Sequence, residues 1–263
     1  MDLGLKGKVA LVAASSKGLG LAVAEELAAE GAHLIMNARG EEALKDASDS
    51  IAKRFGSEAL AVAGDLSVSA DIERIVSQGI DRFGRIDILV TNSGGPPAGR
   101  FEDLTAEQWD SAVRLLLTGV TDITRLVLPG MKERRWGRIL NVTSIAAKQP
   151  VENLMLSNAL RAGLTGFSKT LAAEVAAHGV TVNTILPGYT ATERVEELAE
   201  HLANKEGIEP SAVRRRWEAE IPIGRLAEPR EFAAMAAFLV SERASYMTGS
   251  SIAVDGGWIR SLF

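Results

Sequence analysis

The sequence predicts an α/β protein: a doubly wound, seven-stranded parallel sheet with helices on both faces, folded as a single domain. Two observations carry this. Short, near-continuous apolar runs alternate with longer amphipathic segments along the whole chain, which is the order of right-handed β-α crossovers. Those apolar runs lack strict polar alternation, as strands covered on both sides do. The 263 residues contain no linker-like stretch and no internal repeat, and that length buries a sizeable core.

The elements follow in order. Val9 to Val12 is a strand, followed by a Ser/Gly turn and a small-residue helix that stops at Gly31. His33 to Met36 is a second strand, Glu41 to Phe55 a helix ended by Gly56, and Ala59 to Val62 a third strand. A helix over Ser69 to Phe83 closes at Gly84, and Asp87 to Val90 is a fourth strand running into the loop 91–97. Trp109, Val113, Leu116, Leu117, Val120, Ile123 and Val127 form the stripe of a long helix. Pro129 or Gly130 is expected to interrupt or bend its end. Arg138 to Val142, Val180 to Leu186 and Ser251 to Val254 complete the strands. A second long helix covers Asn153 to His178, and a further helix covers Glu231 to Val240.

One insertion, Thr190 to Pro222, follows the sixth strand, at the sheet end where such folds bind ligands. It is highly charged and contains Arg214-Arg215-Arg216. It reads either as a substrate lid over about 190–222 whose arginines meet an acidic substrate, or as a solvated helix face.

Bulk properties narrow the function. A net charge of -5 gives no support to nucleic-acid binding. The absence of cysteine removes disulfides, thiol nucleophiles and thiolate metal sites. His33, His178 and His201 show no metal-ligand spacing, so no metal is expected. No apolar run reaches membrane-span length, and the opening MDLGLKGK is too short and polar for a signal peptide. A cytoplasmic protein with no membrane partner is expected.

The stretch from Lys8 to Ala32 is built to dock a phosphate. Gly18 and Gly20 allow a tight turn and close approach of a ligand, and the helix that follows aims its N–H groups and partial positive charge at an anion. Where a dinucleotide turn has its first glycine stands Ala14, whose methyl is costly if the turn needs positive φ. Asp65, past the third strand, reads equally as an acceptor for an adenine amino group or as a turn residue. Asn92-Ser93-Gly94 lines the same crevice.

With Asp65-Leu66, Asn92-Ser93-Gly94, Asn141-Val142-Thr143-Ser144, Val182-Asn183, Pro187-Gly188 and Asp255-Gly256-Gly257 in this order, the chain resembles a classical short-chain dehydrogenase/reductase. It is most similar to the 3-oxoacyl-(acyl carrier protein) reductase and glucose-dehydrogenase-like branch. The resemblance implies a Rossmann-type fold and a cofactor site drawn from Ser16, Lys17, Gly18, Leu19, Gly20, Arg39, Asp65, Leu66, Asn92, Ser93, Gly94, Arg161, Pro187 and Gly188. It also implies a homo-oligomer, dimer or tetramer, joined through the two long helices and the last strand. An NAD site places an acid after the second strand; here that stretch is Asn37-Ala38-Arg39-Gly40. Arg39 and Lys17 suit a 2′-phosphate, so NADP(H) is expected over NAD(H).

The resemblance further implies hydride exchange with a small carbonyl or alcohol. A tyrosine moves the proton, a lysine four residues on tunes it, a serine thirteen residues earlier holds the substrate oxygen, and an asparagine anchors a relay water. Ser144 matches the serine; the other positions hold Ser157, Arg161 and Leu116. A serine hydroxyl cannot be tuned to neutrality as a phenol of pKa about 10 can, and arginine is a poor proton shuttle. Leu116 reads as plain core packing, and Ser144 reads equally as a turn residue or a substrate contact. Tyr189, after Pro187-Gly188, is the better of two tyrosines to substitute as donor, with Glu152 and Asn153 near the start of the Ser157 helix. Two functions stay open: an oxidoreductase with an atypical proton donor, and a non-catalytic NADP(H)-binding sensor or partner subunit.

Overall fold

The computed structural model describes residues 1–262. Its strands are β1 (Val9–Ala13), β2 (His33–Ala38), β3 (Ala59–Ala63), β4 (Ile88–Thr91), β5 (Gly137–Val142), β6 (Val180–Pro187) and β7 (Ser251–Val254). They form one sheet in the order β3-β2-β1-β4-β5-β6-β7, and all six pairings are parallel. Helices α1 (Gly18–Ala29), α2 (Glu41–Phe55), α3 (Ser69–Phe83), α4 (Ala106–Val113), α5 (Gly119–Glu133), α6 (Met155–Val175), α7 (Glu193–Glu206), α8 (Pro210–Glu220) and α9 (Pro229–Leu239) connect and cover them. The expected fold class and strand set stand.

Both sides of each central strand are buried, which is why the sequence runs apolar without alternation. Ala10 and Val12 point into a core with Val23 and Leu27 of α1, Leu44 and Ile51 of α2, and Phe232 and Ala236 of α9. Val9, Leu11 and Ala13 point the opposite way, toward Ile72 and Ile75 of α3, Ile123 and Val127 of α5, and Leu171 and Val175 of α6. The chain winds outward from β1 to β3, then returns to place β4 on the other side of β1. The crevice beyond the carboxyl ends of β1 and β4 is therefore the switch point where such sheets bind ligands.

A buried polar relay registers the layers that carry the site. Thr91 of β4 donates to Asn141 Oδ1 of β5 at 2.7 Å, Asn141 Nδ2 donates to Ser168 Oγ of α6 at 2.8 Å, and Ser168 donates to the Leu164 carbonyl at 2.8 Å.

Two details correct the sequence reading. Pro129 does not interrupt the long helix, because α5 runs through it to Glu133. Pro129 and Arg125 are both exposed, so the hydrogen bond that proline removes lies on the outer side of the helix. The irregularity lies earlier, at Arg114–Thr118, a π-helical turn joining α4 to α5. The insertion folds as the α7–α8 hairpin around Ala199, Ala203, Val213 and Trp217. Its arginines follow the solvated-face reading: Arg214 binds both Glu196 oxygens at 3.1 and 2.9 Å, Arg215 reaches Ser211, and Arg216 pairs with Glu206.

Candidate active site

The turn after β1, where a phosphate cradle is expected, has one strained position. Gly18 sits at φ +59°, and a Cβ on Gly20 would stand 2.1 Å from the Ala14 carbonyl oxygen, so neither position accepts a larger residue. Ala14 itself lies at φ +50°, the left-handed region that favours glycine. The N-terminus of α1 carries no side-chain cap and no acid in its first turn, leaving its amides and dipole to an anionic ligand. A nucleotide diphosphate therefore fits the residues present. Ser16 is half-buried beside it, and Leu19 packs against the α1 core.

Of the two cations expected at a 2′-phosphate, Arg39 is exposed just past β2. Lys17 is paired with Glu193 at the start of α7. Asp65 accepts from the Ser67 amide and hydroxyl, both at 2.8 Å, so one of its oxygens organises a turn. Leu66 is buried, and its carbonyl meets Gly119, where a Cβ would approach to 2.0 Å. Asn92 and Ser93 are half-buried, and Gly94 borders open space. Pro187-Gly188 ends β6 against the 255–257 turn, with only 2.7 Å between a Cβ on Gly188 and Asp255 Cα.

At the end of β5 the fold gathers Ser144, Ser157 and Arg161. Ser144 Oγ accepts from the Ala146 amide at 3.1 Å, which leaves its own proton free to donate. Ser157 and Arg161 lie one turn apart on α6, and both are buried. Arg161 Nη1 donates to the Val142 carbonyl at 2.8 Å, while Nε is buried with no partner. Burial pushes this guanidinium down to about 10. Leu116, in the π-helical turn, is fully buried with Ala112, Leu156 and Leu160, as its core-packing reading expects.

Tyr189 stacks on Trp217 with centroids 4.8 Å apart and meets Trp258 edge-on at 6.3 Å. Burial, with the nearby Glu220 carboxylate, pushes its phenol up to about 12. Glu152 and Asn153 are exposed, and Asn153 Oδ1 accepts from Arg100 Nε at 3.3 Å. His33 stacks on Phe83, and no group of three His, Asp or Glu side chains among the described residues is placed to hold a metal.

Sequence reasoning missed the first residues of the insertion. The Thr192 methyl lies 3.8 Å from where a Cβ on Gly18 would stand, and its side chain makes no capping bond to α7. Nothing in sequence joined Glu193 to Lys17 across 176 positions.

Comparison with known proteins agrees with this geometry. The model of a family described as Enoyl-(Acyl carrier protein) reductase matches residues 13–259. The chain belongs to the short-chain dehydrogenase/reductase family. It is 38% identical over 259 residues to D-beta-hydroxybutyrate dehydrogenase of Cupriavidus necator, covering 97% of this chain and 99% of that protein. It is 36% identical over 255 residues to the 3-oxoacyl-(acyl-carrier-protein) reductase FabG of Vibrio cholerae, covering 97% and 98%. The crystal structure of L-sorbose reductase from Gluconobacter frateurii, complexed with NADPH and L-sorbose, superposes with a TM-score of 0.96 at 37% identity and full coverage of both chains. The chain is thus an oxidoreductase of this family. No helix among the described residues is long and apolar enough to cross a membrane.

Proposed function

We propose that the protein is an NADP(H)-dependent oxidoreductase that reduces a small carbonyl, or oxidises the matching alcohol, in the manner of a 3-oxoacyl reductase but with an atypical proton donor. One observation supports this reading: the uncapped start of α1 follows the carboxyl end of β1, and Ser144 and the Arg161 contact to Val142 lie at the carboxyl end of β5, the same end of the sheet. The L-sorbose reductase structure with NADPH bound supports a nicotinamide cofactor. Arg39, directly after a strand that ends in Asn37-Ala38 and carries no acid, favours the 2′-phosphate form.

The cofactor, once held, supplies a hydride. Lys17, Arg39 and the α1 amides neutralise its phosphates; Asp65, Leu66, Asn92, Ser93, Gly94, Pro187 and Gly188 line the rest of the crevice. Ser144 and Ser157 donate to the substrate oxygen, and Arg161 stabilises the negative charge that develops there. Serine relays a proton from water instead of acting as the tuned acid. Tyr189, held protonated by burial and the nearby Glu220 carboxylate, forms a wall between crevice and insertion, with the insertion as a lid. β7, an edge strand with a single neighbour, together with the long helices offers the surface for a homo-oligomer. A cytoplasmic location suits this chemistry.

The test is oxidation of NADPH against a panel of small ketones, keto esters and oxo acids between about pH 6 and 9. Turnover is expected with at least one, lost in Ser144→Ala and retained in Tyr189→Phe. Burial raises the Tyr189 phenol to about 12 and lowers the Arg161 guanidinium to about 10, so neither group changes charge between about pH 6 and 9. The kcat/KM profile is therefore flat across the range and falls only as Arg161 loses its proton toward pH 10. The replaced tyrosine, lysine and asparagine positions favour one other reading, a non-catalytic NADP(H)-binding protein. Saturable NADPH binding with no turnover anywhere in the panel would select it.

A further inference from the structure

The insertion carries four arginines, and three of them are committed within it. Arg214 binds both Glu196 oxygens, Arg215 reaches Ser211 and Arg216 pairs with Glu206. Arg194, in the first turn of α7, makes no hydrogen bond among the described residues. Its one partner is Glu197, 3.7 Å from Nη1, and both side chains are more than half exposed. An ion pair of that length and exposure holds a guanidinium weakly. It also leaves the Nε–Nη2 edge without an acceptor.

That edge lies against the loop after β4. A Cβ on Gly95 would stand 3.6 Å from Arg194 Nη2 and 4.0 Å from Nε. The two residues before Arg194 meet the turn after β1: Glu193 pairs with Lys17, and the Thr192 methyl lies 3.8 Å from where a Cβ on Gly18 would stand. The start of α7 therefore bridges the ends of β1 and β4, which are neighbours in the sheet. Next to Gly95, a Cβ on Gly94 would meet nothing within 4 Å, so a ligand has room there. Thr91 of β4 is paired with Asn141 of β5, and Gly94 and Ser144 each lie three residues further on. Ser144 Oγ accepts from the Ala146 amide and keeps its own proton to donate. An open guanidinium fork thus stands on the insertion side of this end of the sheet, and a free hydroxyl donor on the strand side. The fork binds two oxygens of one planar anion at once. Glu193 and Glu197 flank Arg194 on α7, so a singly charged carboxylate suits it better than a doubly charged phosphate, which they repel.

We propose that Arg194 is a specificity-determining residue: it binds the free carboxylate of a short-chain oxo acid or hydroxy acid whose reacting oxygen is held by Ser144. The reacting carbonyl rests on the function proposed above; the carboxylate contact rests on the placement of Arg194 against Gly95. Because Arg194 belongs to the insertion and Ser144 to the end of β5, the residue acts on substrate binding and leaves the chemical step to the crevice.

Steady-state kinetics with NADPH test this on 2- and 3-oxo acids matched with their methyl esters. The wild type should favour the acids by about fivefold in kcat/KM, between the effect of an exposed ion pair and that of a hydrogen bond to a charged group. In Arg194→Gln the acid-to-ester ratio should fall to about one, through a higher KM for the acids and not through kcat. Arg194→Lys, which keeps the charge and loses the fork, should retain part of the preference. Arg194 is exposed and makes no hydrogen bond, so both variants should fold as the wild type does, which thermal melts check. Equal use of acids and esters by the wild type overturns the proposal and leaves the oxidoreductase reading intact. So does an Arg194→Gln variant that keeps the preference for acids. An Arg194→Gln variant that instead weakens NADPH binding also overturns it, by assigning the guanidinium to the cofactor. Calorimetry on the NADPH-loaded protein with butyrate and its neutral isostere butyramide separates the two readings. A butyrate preference that is lost in Arg194→Gln, with no carbonyl turned over, would uphold the carboxylate contact and sink the proposed function.

Discussion

Ala14 is the residue at which local strain and cofactor binding meet. Its φ of +50° lies in the left-handed region, which costs a residue with a Cβ about 1–2 kcal/mol relative to glycine. Glycine returns about 0.4–1 kcal/mol of that through the freedom it gives the unfolded chain. Ala14→Gly should therefore stabilise the protein by about 0.5–1 kcal/mol, a rise in Tm of roughly 1–3 °C for a chain of this size. It should also tighten NADPH binding, since the same carbonyl that presses on Gly20 would be freed to adjust to a ligand. Paired thermal melts and fluorescence titrations check both; an unchanged or lower Tm would mean that the turn holds its left-handed residue without cost. The identity of this position was legible in the sequence, and so was the reason glycine belongs there. Arg161 shows the opposite case. Its place on α6 follows from spacing, but its orphaned Nε depends on how far α6 leans over β5, which a fixed sequence interval does not report.

At the scale of elements, an ion pair joins α7 to the turn after β1, the proposed cofactor site. Glu193 neutralises Lys17, the cation expected at the 2′-phosphate, so nucleotide and lid compete for one ammonium group. Both partners are more than half exposed, and the pair is screened by salt. Glu193→Gln should strengthen NADPH binding a few-fold at low ionic strength, with a smaller gain for NADH. The difference should fade as salt is raised to about 0.5 M, beyond which the screening length is only a few ångströms. Titrations of both nucleotides at two salt concentrations test this; an equal gain for both would remove Lys17 from the 2′-phosphate site. Helix positions were legible because each apolar stripe was long and periodic. The π-helical turn at Arg114–Thr118 was not, because the stripe through Leu116 continues across it. Its close packing on the backbone after β3, through Gly119 against the Leu66 carbonyl, is a tertiary contact with no local signature.

For the whole molecule, strand count and the parallel sheet could be read from the order of apolar runs, since both cores need every central strand buried on two sides. The packing of the insertion against the turn after β1 could not, because it depends on pairs such as Lys17–Glu193 and Tyr189–Trp217 that are distant in sequence. The chemistry is distributed in the same way: Leu116 lies between α4 and α5, and Ser157 and Arg161 on α6, so no single replacement restores the family arrangement. Leu116→Asn alone buries an amide among Leu156 and Leu160 and should destabilise the fold by about 1–3 kcal/mol. Ser157→Tyr alone places a phenol beside a guanidinium that cannot shuttle its proton. Combined with Arg161→Lys, the tyrosine gains an ammonium neighbour that lowers its pKa toward neutrality, and the asparagine gains a relay water to bind. The triple variant should therefore acquire a reductase activity whose pH profile shows a new limb near neutrality, absent from the flat wild-type profile. Kinetics across pH on the carbonyl panel read this change. A triple variant that folds, binds NADPH and keeps the wild-type profile would place the proton donor elsewhere in the crevice.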